Sequence, residues 1–220
     1  MTISKHIQAR QLLAKQRQMT SLIDKDIISQ SEDLTFDRTD WVPLYFDKGY
    51  AVRSDCGTAT AYRAVTLDQQ LLWLVFTDNK ERGFHATAEC PVEAIEQAQQ
   101  IWEKRRNIKR DWYLIEQAAR DLLAGRAKFS VTLEDAHKSP LCSLGIEGFL
   151  SSIGMGRVTK ISGRMAAMLM RIEPQVGFVI YEAMQREKAQ VTQDKHERSF
   201  PLPDPDIART QRGLQSEPTL

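Results

Sequence analysis

A chain of 220 residues with 42% hydrophobic content can build one sizeable core, or one core and a small satellite. A net charge of +1 excludes a global field toward nucleic acid, membranes or acidic partners, and three widely spaced cysteines exclude a disulfide framework. Charge is nevertheless polarised locally: residues 41–103 carry five Lys/Arg against nine Asp/Glu, and residues 104–128 carry eight against three.

Residues 3–30 read as a helix, with Met19, Leu22, Ile23 and Ile27 at helical spacing. Its basic residues precede its acidic ones, which opposes the helix dipole, so the segment needs a partner surface in this chain or in a second one. Charge interrupts the first eighteen residues every few positions, so they read as no secretory leader, and a reducing, cytoplasmic setting is the simplest expectation.

From Trp41 the pattern becomes extended. Trp41–Phe46, Thr58–Val65, Leu71–Thr77 and Phe84–Ala88 are rich in aromatic and β-branched residues, and turn chemistry, including Asp47-Lys48-Gly49, separates them. Such short connections allow only antiparallel neighbours, so a sheet of three or four strands is predicted. Pro91 then opens a helix with Val92, Ile95, Ala98, Ile101 and Trp102 on one face. Asp111 is placed to cap a second helix that Gly125 ends. Ile108 keeps the phase between the two stripes, so one helix over residues 92–124 stands beside two as a reading.

Thr132 and Asp135 have capping-box spacing for a short helix. Ser139-Pro140 reads as the start of the next, whose Gly145 and Gly148 imply close approach of another backbone. The stretch Met165–Met184 is apolar but holds Arg171, Glu173 and Pro174, so two buried helices are expected there and not a membrane span. No internal repeat is evident. After Lys188 the apolar periodicity stops, and four of the eight prolines fall in residues 189–220, which reads as a disordered tail.

The predicted fold is α+β: a small antiparallel sheet covered by helices, then a compact C-terminal helical cluster. An N-terminal arm occupies residues 1–35, the sheet and its helices 40–128, the cluster 129–188 on the same core, and the tail 189–220.

Three constellations carry chemistry. Lys104, Arg105, Arg106, Lys109 and Arg110, with Arg157, Lys160 and Arg164 further on, form a basic set suited to phosphates. The second group follows Gly154-Met155-Gly156, which permits a helix–turn–helix reading with Ser162–Ile172 as recognition helix, although MAAMLM reads as apolar all round and hence buried. Cys142 near a helix N-terminus, with His137 five residues earlier, permits a nucleophile and base. The third is the helical stripe of residues 3–28, a surface for a protein partner or for self-association. Cys56, Cys90, Cys142, His85 and His137 lack metal-ligand spacing, so no metal and no cofactor is expected. The leading expectation is a non-enzymatic intracellular binding or regulatory protein with a basic face for an anionic partner such as nucleic acid. An enzyme using Cys142 and His137, and an adaptor acting through the N-terminal helix, are the alternatives.

Overall fold

The computed structural model describes residues 2–23, 34–38, 41–77 and 83–199. By compactness the chain divides into two units, Met1–Ala183 and Met184–Leu220.

The first unit is α+β. Helix α1 (Thr2–Ile23) precedes five strands, β1 (Leu34–Asp37), β2 (Leu44–Arg53), β3 (Ala59–Thr66), β4 (Leu71–Thr77) and β5 (Phe84–Ala86). They form one antiparallel sheet in sequential order, so the expected three or four strands are corrected to five. The addition is β1, which pairs with β2 from Leu34 opposite Asp47 to Asp37 opposite Leu44. Four residues, LTFD, are too few for an alternating pattern, and their extended state depends on the neighbouring strand. Asp47-Lys48-Gly49 is also not a turn. It lies inside β2, where the register against β3 shifts between Phe46 and Ala51 as a bulge.

The two faces of the sheet are covered differently. Helix α2 (Pro91–Arg110) lies on β3, β4 and β5, where Ala94, Ile95, Ala98 and Trp102 pack on Ala59, Ala61, Trp73 and Val75. Small alanines on β3 let the helix approach closely. Beside α2, on the same face, α1 lies on β2 and β3 with Ala9 and Leu13 against Val65. The buried line of α1 is Ala9, Leu13 and Arg17 at four-residue spacing. The expected stripe differs: Met19 is 52% exposed, the side chains of Leu22 and Ile23 lie outside the described residues, as does Ile27. Between the two helices Arg63 stacks on Tyr50 and Trp73, 5.0 and 5.1 Å from their ring centres. On the opposite face Val42, Leu44, Phe46, Ala64, Leu72 and Leu74 form a second core layer that Leu144 helps to cover.

Residues 92–124 are two helices. Helix α2 ends at Arg110 and α3 (Trp112–Leu123) follows Asp111, whose side chain makes no capping hydrogen bond. Gly125, at φ +74°, ends α3 as expected, and the Arg126 amide donates to the Asp121 carbonyl across it.

The rest of this unit repeats one device. Helix α3, a left-handed glycine, strand β6 (Ser130–Thr132), a Thr132 cap and α4 (Leu133–Lys138) are followed by α5 (Ser143–Ser152), left-handed Gly154, β7 (Lys160–Ser162), a Ser162 cap and α6 (Gly163–Leu169). Strands β6 and β7 pair antiparallel, Val131 opposite Ile161, which locks the two halves together. Three-residue strands and dissimilar helices hide this repeat from sequence comparison. The Thr132–Asp135 capping box forms, whereas Ser139 closes α4 and Cys142, not Ser139, caps α5. The helix–turn–helix reading fails because β7 separates α5 from a seven-residue α6. Helix α6 is also not buried all round: Ala166, Ala167 and Leu169 face inward, while Met165 and Met168 are 39% and 41% exposed. Helix α6 packs on α3, with Gly163 against Leu122 and the Phe129 carbonyl.

Helix α7 (Val176–Ser199) begins in this unit after the Glu173-Pro174 break. Trp112 meets Phe178 edge-on at 5.2 Å. In the second unit α7 continues from Met184 to Ser199, with an Arg186–Glu187 ion pair at 3.1 Å and Thr192 donating to the Lys188 carbonyl. The expected tail is therefore helical over residues 189–199, because AQVTQDKHERS contains helix formers and no Pro or Gly, although it lacks an apolar stripe. Residues 200–220, the rest of that expectation, lie outside the described residues. No helix among the described residues is long and apolar enough to cross a membrane.

Candidate functional site

The basic set is split by its own hydrogen bonds. Lys104 donates to the Lys138 carbonyl and lies 2.9 Å from Glu182 Oε1. Arg105 Nε donates to the Pro140 carbonyl at 2.7 Å. Both side chains thus fasten the C-terminal half of α2 to the α4–α5 connection, capping carbonyls that a short linker leaves exposed. Arg106, Lys109 and Arg110 on α2, Arg157 before β7, Lys160 on β7 and Arg164 on α6 are exposed. Arg106 borders an open polar cleft that Thr58, Thr77, Gln99 and Glu103 also line.

His137 is exposed on α4, while Cys142 is half-buried at the N-cap of α5. The imidazole beside Cys142 belongs to His85, whose Nδ1 is 3.3 Å from Sγ. His85 is on β5 and only 4% exposed. Sequence reasoning missed it because 57 residues separate the two and antiparallel pairing brings them together. The one available signal was a histidine in a three-residue strand, FHA, that is otherwise apolar and fully buried. Cys142 Sγ also accepts from the Gly145 amide at 3.3 Å, the first-turn amide that a serine or aspartate cap would satisfy.

Cys142 stands on the wall of a cavity of about 120 Å³, with His85 behind it. Strands β6 and β7 supply Val131 and Ile161, helices α4 and α5 supply Ala136, Ile146 and Phe149, and α6 and α7 supply Leu169 and Val179. The polar groups on the wall are few: Cys142, Arg105, Lys160, Glu173, Gln175 and two threonines. Trp41 closes one side, its indole edge-on to Phe149 at 5.5 Å and its Nε1 donating to Glu173. Apolar walls with a few convergent polar groups are the usual composition of a small-molecule site.

The other cysteines differ in kind. Cys90 caps α2, accepting from the Glu93 amide at 3.5 Å. Cys56 is exposed at the β2–β3 hairpin, where hydrogen bonds from Ser54 and then Thr58 stabilise the thiolate and lower the thiol to about 7. Among the described residues no three His, Cys, Asp or Glu side chains converge as metal ligands. The two helix–strand–helix loops carry Arg126 and Lys128, and Arg157 and Lys160, where a calcium loop needs carboxylates. Of the α1 stripe proposed for a partner, Leu13 is buried on the sheet while Ile7 and Met19 are exposed. No protein-family model, curated protein or solved structure matches the chain.

Proposed function

We propose that this protein is a binding protein that takes a compact, mainly apolar ligand group into the cavity between β6–β7 and helices α4–α7. The observation that carries the reading is an apolar space of about 120 Å³ whose wall includes the Cys142 thiol, itself backed by the His85 imidazole. An apolar protein cavity of about 150 Å³ takes up benzene or xenon, so this volume suits a group of that size. Arg105 and Lys160 add positive charge at the wall and Glu173 a negative one, so the ligand has room for a polar end.

Binding to the native state alone raises stability by RT ln(1 + [L]/Kd), about 1.4 kcal/mol at ten times Kd. For a chain of this size that is a rise of about 3–6 °C in Tm. Benzene and xenon are the probes, and Val158→Trp, which places an indole at the cavity wall, abolishes the rise. An unchanged Tm in the wild type at saturating benzene and under xenon pressure removes the reading.

A second reading, anion binding at the end of α2, is favoured by the exposure of Arg106, Lys109 and Arg110 together with Arg157, Lys160 and Arg164. Because Lys104 and Arg105 have internal partners, they contribute less to it than the sequence suggests. If this face meets nucleic acid, neutralising Arg106, Lys109 and Arg110 together reduces the slope of log affinity against log salt by roughly two to three units. Lack of binding to any oligonucleotide at low salt rules it out.

A further inference from the structure

We propose that Cys142 is a nucleophilic thiol that captures a compact, uncharged activated alkene, such as an enone, held in the cavity; this rests on the cavity being a ligand site. Two independent features of the fold converge on Sγ. Helix α5, ten residues long, presents its N-terminus to the sulfur, with the Gly145 amide donating at 3.3 Å. The positive end of a helix favours the thiolate over the thiol. From the sheet, His85 Nδ1 approaches to 3.3 Å and is itself almost wholly buried. An imidazole at that distance is placed to take the thiol proton.

The cysteines that lack this combination provide a comparison within the same chain. Cys90 has the helix cap and, among the described residues, no imidazole against it. Cys56 has hydroxyl partners, no helix, and faces solvent. Only at Cys142 do cap, imidazole and apolar cavity coincide among the described residues.

The step balances without a further reactant. The thiol proton passes to His85 Nδ1, giving a thiolate–imidazolium pair, and the thiolate sulfur attacks the β-carbon of the alkene. The S–C bond forms, the C=C π pair moves toward the carbonyl oxygen, and the imidazolium returns the proton to the α-carbon. The product is a thioether, and nothing is oxidised or reduced overall. Of the charged groups on the wall, Arg105 from α2 and Lys160 from β7 favour the developing negative charge, and Glu173 from the α6–α7 connection opposes it. The surrounding Ile146, Phe149 and Leu169 side chains favour an uncharged electrophile over a charged one.

The test uses the full chain with Cys56→Ser and Cys90→Ser, N-ethylmaleimide as probe, and mass spectrometry to locate the adduct. At pH 6 Cys142 in the folded protein reacts at least tenfold faster than in the urea-unfolded chain, and the rate is nearly flat from pH 6 to 8. His85→Asn lowers the folded rate at least tenfold, saturating benzene slows it, and a sulfonated maleimide reacts poorly. A rate that climbs tenfold per pH unit through this range, or that is slower folded than unfolded, overturns the proposal. The wild-type pH profile decides this even where His85→Asn fails to fold. Stabilisation by benzene with an inert Cys142 overturns the covalent step and leaves the cavity reading standing. Fast, His85-dependent labelling that benzene neither slows nor accompanies with stabilisation overturns the cavity as the ligand site, and the proposal with it.

Discussion

Replacing Asp47 by alanine lowers the stability of the fold by about 3–5 kcal/mol, because it leaves the guanidinium of Arg17 buried without its counter-charge. Both groups are almost fully buried, at 4% exposure for Arg17 and 1% for Asp47. Arg17 clasps the carboxylate with two parallel hydrogen bonds, the Nε one at 2.6 Å, and the Gly49 amide donates to the same carboxylate at 2.9 Å. The bulge in β2 is what makes this possible: it exposes the Gly49 amide for the carboxylate and keeps Asp47 aimed at α1. The pair is a position marker for α1 more than a source of net stability, since desolvating two charges offsets most of their attraction. Two measurements separate these roles. Urea unfolding of Asp47→Ala reports the large loss, and the double replacement Arg17→Met with Asp47→Leu recovers most of it. Hydrogen exchange in Asp47→Ala shows α1 opening before the sheet. A loss below about 1 kcal/mol in Asp47→Ala would mean that Arg17 reaches solvent when its partner is removed, and that α1 is only loosely attached.

This pair also illustrates where sequence reading stops. The order of charges along the first helix indicated a dependence on a partner surface, and α1 does lie on the sheet through Ala9, Leu13 and Arg17. What periodicity cannot reveal is that a charged residue occupies the third place in that buried line, because its acceptor is 30 residues away. The same limit recurs at the candidate site. Strands β3 and β4 were legible because alternation and turn residues act within a few positions. The Thr132–Asp135 box was legible because both members lie on one helical turn. Strands β1, β6 and β7, with three or four residues each, take their conformation from strands paired to them and carry no local signature. Cys142 was recognisable as a thiol near a helix start, but the sequence offered His137, the near histidine, where the fold supplies His85. Proximity along the chain was the wrong measure, since α4 turns His137 outward while β5 carries His85 to the sulfur.

Gly148→Ala tests the link between that fold and the site, and two effects of opposite sign compete in it. Alanine in place of glycine within a helix gains about 1 kcal/mol in backbone propensity. Against this, a Cβ at position 148 would stand 2.6 Å from the carbonyl oxygen of Trp41 and 3.2 Å from its carbonyl carbon. The obstacle is main chain, which cannot rotate aside as a side chain can. Trp41 is moreover held in place: its φ is +66°, its indole lies edge-on to Phe149, and its Nε1 donates to Glu173 at 3.3 Å. Overpacking against a fixed neighbour costs about 1–3 kcal/mol, which outweighs the propensity gain. The expected result is a net loss on Gly148→Ala and a larger one on Gly148→Val, whose branched side chain adds bulk at the same contact, read by urea unfolding. Gly156→Ala is the control, because the nearest atom to its Cβ is 4.0 Å away, and it stays within about 0.5 kcal/mol of the wild type. The relaxation that does occur pushes α5 away from Trp41, and α5 carries both the Cys142 cap and the Phe149 wall of the cavity. Benzene-induced stabilisation therefore falls in Gly148→Ala while Gly156→Ala keeps it. A gain of about 1 kcal/mol in Gly148→Ala, with benzene binding intact, would show that Trp41 yields and that helix propensity governs this position.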